Sequence, residues 1–340
     1  MSTSACSLVR GLSLQVCAIG LLALALGGVA LGGAVGSTGW TSLATLWHDP
    51  VAWQIVIDIR LPRSLGAWAG GALLALAGAL AQGLFRNPLA DPYLLGSASG
   101  ASLGWMVGLL GLGAGAAPVY GLQHLGLTGA AFVGAWAAVA LTLTLARGVQ
   151  HTVRLLLAGV IVGVMLGALA SLLSLWRPAL LQGAQGFMLG STASVGWPSV
   201  ILMLAVLVLC GVSAGAASRA LDAMSLGAST AQSLGLPLSR LRAGLVSVLA
   251  LATATAVAQM GLIAFVGLAA PHAVRALVPT THRWRVPLSA LMGGALLLWA
   301  DLLARGLLAP QELPVGLLTA VLGGAYLLWL MHRQSVREGL

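Results

Sequence analysis

Lysine is absent from this 340-residue chain; all sixteen basic residues are arginines. A phosphate-binding P-loop needs the Lys of GxxxxGK[ST] to reach the β and γ phosphates, so the chain cannot hydrolyse ATP by that route. Schiff-base chemistry is excluded with it. Charge of either sign is scarce: only 7% of residues are charged and seven are acidic, against about 25% charged in a soluble domain. A water-soluble surface cannot be built from so little. Cysteine is rare too. Cys6, Cys17 and Cys210 fall at no metal-ligand spacing and lie in or near apolar runs, which makes them small lipid-compatible residues rather than a redox or metal set.

What is present is apolar and small. Hydrophobic residues make up 59% of the chain, and most of its 46 glycines sit inside apolar runs, where membrane helices use them for close packing. The sequence is therefore that of an all-α polytopic membrane protein. Its net charge of +9 is not a nucleic-acid footprint, because arginines in such a chain mainly report topology.

Cutting at polar and Pro-rich breaks predicts ten transmembrane helices of roughly 20 residues, the length that crosses a bilayer core. They fall near 12–33, 64–84, 93–115, 126–146, 154–175, 198–217, 242–259, 262–278, 286–304 and 314–332. The stretch 242–278 is too long for one span and barely long enough for two. Arg240 and Arg242 precede it and Arg275, Arg283 and Arg285 follow it, so an even number of crossings is needed to keep both clusters on the cytoplasmic side. With both termini inside, twelve arginines are cytoplasmic and four are not: Arg60, Arg63, Arg177 and Arg305. The first helix resembles a signal peptide in its flanking Arg10 and apolar core, but its removal would leave an odd number of spans, so it is read as retained. Residues 1–340 form one transmembrane domain. Within it, "LPRSLGAWAGGALLALAGALAQ" (61–82) and "LSRLRAGLVSVLALATATAVAQ" (238–259) echo each other five spans apart. An odd offset inverts the second copy and predicts two inverted five-helix halves.

A series of longer motifs then occurs in order: "RLPR" (60–63), "QGLFRNPLADPYLLGSASGASLG" (82–104), "LDAMSLGASTAQSLGLPLSRLR" (221–242), "GLIAFVGLAAPHAVRAL" (261–277), "ADLLAR" (300–305) and "ELPVGLLTAVLGG" (312–324). Over about residues 55–332 the chain resembles the FecCD-type permeases, the membrane subunits of bacterial ABC importers for iron siderophores, haem and cobalamin. Departures from the family pattern are local: Ala264, Ala325, and Ala228 with Ser229. The resemblance implies a type II ABC importer permease fold in the bacterial inner membrane, without a cofactor or catalytic site. It also implies four kinds of partner: two ATP-binding cassette ATPase subunits, a periplasmic substrate-binding protein, a second copy of the chain and the bilayer. Haem or a ferric siderophore is the favoured cargo and cobalamin the alternative, with an ion-coupled secondary transporter a remote one.

Several residues could carry function. By the resemblance, Arg60, Arg63 and Arg305 dock the binding protein through its acidic side chains. The polar interval 220–241 is the coupling element, with Leu221, Met224, Leu226 and Leu234 as anchors in the ATPase. Small residues repeat every fourth position at Gly159, Gly163 and Gly167 and at Gly316, Ala320 and Gly324. Such stripes pack helices closely, and the resemblance places them along the dimer axis or pathway. Asp91, between two prolines, reads as a turn, and His272 as a structural histidine; both are also gate candidates. Asp301 and Arg305 lie four apart and can pair along one helix face; Asp301 is also the one candidate for a proton relay. "GASLG" (100–104) matches the hydrolase GxSxG around Ser102, but that motif needs a strand-turn-helix setting, and helix packing is the better reading.

Overall fold

The structure, a computed structural model, describes residues 13–36, 39–40, 49–112, 122–146 and 152–338; Cys6, Arg10 and Arg147 lie outside the described residues. The long helices are α1 (Leu14–Ala34), α3 (Leu61–Phe85), α5 (Leu122–Leu145), α6 (Thr152–Trp176), α8 (Trp197–Ser225), α10 (Leu238–Met260), α12 (His282–Gly306) and α13 (Val315–Glu338). The shorter ones are α2 (Pro50–Ile55), α4 (Ser97–Gly111), α7 (Pro178–Leu189), α9 (Ala228–Ser233) and α11 (Val266–Leu277). A π-helical turn, Val56–Arg60, joins α2 to α3. A two-residue antiparallel ribbon pairs Val35–Gly36 with Gly39–Trp40.

Each expected span falls on one of these helices, but not all are full crossings. Among the described residues, seven helices are long and apolar enough to cross a membrane. Helix α4 has 15 residues and α11 has 12, about 22 and 18 Å at 1.5 Å per residue, against a hydrocarbon core of about 30 Å. Helix α13 is apolar from Val315 to Met331 and polar from His332 on. The expected spans 93–115 and 262–278 are thus half-length helices, each entered through a non-helical stretch. Asp91 caps a short 3-10 turn, Pro92–Leu95, which ends at Gly96 with φ +81°. Gly261 ends α10 with φ +72°, and Phe265 enters α11 with φ +67°.

Irregular backbone is tolerated at membrane depth only where protein satisfies it, and the two breaks meet each other. The Tyr93 hydroxyl donates to the Ile263 carbonyl at 3.0 Å. Helix α7, which the sequence reading left as part of a connection, completes the junction: Leu262 N–H donates to Phe187 O at 2.9 Å, Ser191 N–H to Met260 O at 2.8 Å, and Gly316 N–H to Gly190 O at 3.2 Å.

Helix α3 is the axis around which the rest packs. Its most apolar stretch is 89% buried, against 22% for α8 and 28% for α6. Alanine and glycine on every face allow this, since no large side chain holds the neighbours away. A Cβ at Gly78 would overlap the Gly267 carbonyl of α11, and one at Gly71 the Gly293 carbonyl of α12.

The charged residues separate to two ends. At one, α1 begins against Val274, Val278 and Leu288, α3 ends at Arg86, and Asp222 of α8 meets His282 of α12. Arg242, Arg275 and Arg285 gather there as well. At the opposite end lie Arg60, Arg63, Thr192, Asp301, Arg305 and Glu312.

Gly78→Ala is expected to destabilise the protein by about 1–3 kcal/mol or more, because the backbones of α3 and α11 must separate. Gly20→Ala, which meets nothing within 4 Å, should leave the unfolding midpoint in detergent unchanged. Equal midpoints for the two variants would show that the α3–α11 approach is not tight.

Candidate functional site

The end opposite the arginine-rich one holds a charge network built on "RLPR". Pro62 sits in the first turn of α3, a position its fixed φ suits, and the turn aims Arg63 across the bundle. Arg63 Nη1 donates to both Glu312 oxygens, at 2.9 and 2.8 Å, its Nη2 to Asp301 Oδ1 at 3.2 Å and its Nε to Thr192 Oγ1 at 3.3 Å. Arg305 pairs with the other Asp301 oxygen, one turn back on α12, and reaches the Ser64 hydroxyl at 3.4 Å. Arg60 turns the other way, donating to the carbonyl of Gly33 at 3.1 Å and of Ala34 at 3.4 Å.

The three arginines of the expected cationic rim are engaged within the chain. Asp301 and Arg305 are 0% and 1% exposed, and Arg60 and Arg63 are 8% and 9%. Three arginines that read as an exposed docking surface are engaged inside the chain, with Arg305 beneath the others. Pairing is what burial demands, because an unmatched guanidinium in a low-dielectric site is far costlier than one that meets a carboxylate. The expected Asp301–Arg305 pair is present. With both oxygens of Asp301 accepting from Arg63, Arg305 and Thr192, the carboxylate serves as a junction between α3, α12 and the 190–196 connection rather than as an open relay. Sequence reasoning missed Thr192 and Glu312; "ELPVG" was the signal for Glu312, but its partner lies 249 positions away.

At the arginine-rich end the polar interval is shorter than expected, since α8 continues to Ser225. That extension turns Leu221 and Met224 into the chain's own core, at 0% and 4% exposure. Neither can anchor a partner. Leu226 and Leu234 flank α9 and are 73% and 64% exposed, with Gly227 and Gly235 supplying the positive φ of the turns around them.

The glycine stripes pack within the chain. A Cβ at Gly159 would strike the Leu94 carbonyl, and Gly163 and Gly167 face Ser99; Gly316 lies against the carbonyls of Leu189 and Leu262, and Gly324 faces the Phe265 ring. Ala320 is half-buried between them. Both stripes therefore close on the central junction. The faces that remain free are the larger aliphatic ones, Val164 and Leu172 of α6 and Val321 and Leu328 of α13.

Asp91 accepts from the Tyr93 N–H at 2.7 Å, which is the turn role; burial pushes its carboxyl up to about 6. His272 packs edge-on to Tyr326, 6.2 Å between ring centres, and neither Asp222 nor Asp301 bonds to it. Asp222 instead binds His282, accepting from its backbone N–H at 3.0 Å and meeting Nδ1 at 2.6 Å. Ser102 is helical and donates to the Ala98 carbonyl at 3.1 Å, with no nucleophile elbow around it.

Comparison with known proteins gives a consistent picture. The sequence profile of the FecCD transport family matches residues 17–333. The hemin transport system permease protein HmuU of Yersinia pestis is 39% identical over 323 residues, covering 93% of this chain and 95% of that protein. The vitamin B12 import system permease protein BtuC of Escherichia coli O127:H6 is 39% identical over 287 residues, covering 84% and 86%. Among solved structures, an ABC transporter assigned to the metal-chelate type, in an inward-facing conformation, superposes with a TM-score of 0.83 at 28% identity, over 94% of this chain and 99% of that one.

Asp301→Asn leaves two buried guanidinia sharing one remaining carboxylate and is expected to cost about 3–5 kcal/mol, the usual effect of breaking a buried pair. The unfolding midpoint of the purified chain should fall before any partner is added. Arg177→Gln, at an exposed position, should not move it. An unaltered midpoint for Asp301→Asn would mean the network contributes nothing to the fold.

Proposed function

The chain belongs to the FecCD transport family, a permease of the ABC-transporter class, and on that premise we propose that it imports a metal tetrapyrrole, with haem the first choice. The observation that carries this reading is that two relatives covering most of the chain are named for haemin and vitamin B12, both metal-bearing macrocycles. Equal identity to the two keeps cobalamin as a second reading.

Energy comes from separate ATPase subunits, in keeping with the missing P-loop lysine. They dock at the arginine-rich end, which the excess of positive charge assigns to the cytoplasm; the start of α1 and the end of α13 share that side. Leu226 and Leu234 are the apolar anchors that insert into the ATPase. A second copy of the chain packs against exposed aliphatic faces such as those of α6 and α13, and the cargo passes between the copies with Asp91 and His272 near its cytoplasmic exit. A substrate-binding protein meets the opposite end, where Arg60 and Arg63 lie nearest the surface and the Asp301–Arg305 pair supports Arg63 from beneath. Rim charges set encounter rate and orientation, so this docking weakens as salt rises.

Two measurements test the reading. In proteoliposomes holding the permease, its ATPase and its binding protein, haemin should accumulate only with ATP. Accumulation of cobalamin alone selects the second reading, and uptake driven by an ion gradient without ATP overturns both. Leu226→Asp should abolish substrate-stimulated ATP hydrolysis while leaving the permease folded, since an exposed site tolerates substitution within about 0.5 kcal/mol. Stimulated hydrolysis at the wild-type level would remove Leu226 from the interface.

A further inference from the structure

At the arginine-rich end the helix termini enclose a recess of about 290 Å³. Arg86 closes it from the end of α3, Arg275 from the last turn of α11, and Arg285 with His282 from the first turn of α12; Gln82 and Ser225 complete the wall. Arg242, at the start of α10, lies within electrostatic reach of Arg86. Three guanidinium groups thus face one opening. Asp222 is the carboxylate beside them; its Oδ1 takes both the ring and the backbone N–H of His282, and its charge also acts on Arg285.

The arginines are held by neutral groups. Arg275 Nη2 donates to Gln82 Oε1 at 3.2 Å, and Arg285 Nη2 to the Thr280 carbonyl at 2.7 Å. Both Nε atoms are buried without a hydrogen-bond partner. A buried charged donor left unmatched is among the more expensive features a fold can carry. With neutral contacts fixing their orientation, both side chains line the recess. A water's share of liquid volume is about 30 Å³, so the recess has room for a tetrahedral anion and the ester group attached to it. Guanidinium forks match the oxygens of phosphate, which accept several N–H bonds at once.

The depth of the recess fits the headgroup layer. Trp284, next to Arg285 in sequence, is 46% exposed, with the Arg283 guanidinium 5.8 Å from its ring centre. Tryptophan is enriched where chain meets both lipid and water. Leu89 and Leu277, at 51% and 38% exposure, leave apolar surface near the same rim.

We infer that this recess is a binding site for a phosphate-class anion, the phosphodiester of an anionic phospholipid or free inorganic phosphate, gripped by Arg86, Arg275 and Arg285. The bound anion ties α3, α11 and α12 together directly beneath the end of α8 that leads into α9.

The test uses the purified, delipidated full chain in detergent. Its unfolding temperature is followed as mixed micelles of phosphatidylglycerol, micelles of phosphatidylcholine, or sodium phosphate against sodium chloride are titrated in. A saturable rise with phosphatidylglycerol and none with phosphatidylcholine supports the lipid form; a saturable rise with phosphate at matched ionic strength supports the free anion. Either effect should weaken at least tenfold in apparent affinity in the Arg275→Gln, Arg285→Gln double variant and persist in Arg177→Gln. Arg285→Lys keeps the charge but loses the fork, and should show an intermediate weakening if the double variant does not fold. The inference is overturned by the absence of any saturable rise with phosphatidylglycerol or phosphate, or by wild-type affinity in the double variant and in Arg285→Lys.

Discussion

A charge inside a bilayer must be matched or must reach the headgroups, and with so few charged residues nearly every placement in this protein answers to that constraint. The bundle satisfies it in two different ways at its two ends. Around Asp301, two arginines, two carboxylates and a threonine hydroxyl close into a buried network that draws on α3, α12 and the connections before α8 and α13. At the other end, arginines outnumber carboxylates and surround an open recess. One end pairs its buried charges within the chain; the other carries an excess of arginine.

Between the ends, the same low-dielectric surroundings govern the backbone. Helices α4 and α11 stop short, and their non-helical leads would leave carbonyl and N–H groups bare in hydrocarbon. They are brought together so that each satisfies the other, with Tyr93 bridging to Ile263 and α7 capping the remaining groups through Phe187, Gly190 and Ser191. The glycine stripes of α6 and α13 exist to let helices approach this junction, which is why Gly159 meets the Leu94 carbonyl and Gly316 meets those of Leu189 and Leu262. Spans three and eight, the two interrupted ones, lie five apart, the same offset as the sequence echo between spans two and seven.

The family and the polytopic character were legible before any coordinates, because composition, span length and ordered motifs are properties of the chain read along its length. The Asp301–Arg305 pair was legible for the same reason: four residues on one helix face are neighbours whatever surrounds them. The inward pairing of Arg60 and Arg63 was not. Arg60 and Arg63 carry no mark in the sequence that separates an exposed arginine from one turned inward. Their burial depends on Glu312 and Asp301 arriving from far along the chain and on the carbonyls at the end of α1. Leu221 and Met224 failed as anchors because helix α8 continues past the expected boundary and rotates them toward the core.

By itself the sequence determined what the chain is made to live in and which permeases it resembles; these follow from hydropathy and local motifs. Only the tertiary structure decided which spans are half-length, where α7 packs, which leucines face outward, and which arginines are matched. Those outcomes turn on contacts between residues distant in sequence, and the free energy of a buried charge or a broken helix is set by what lies across from it in space.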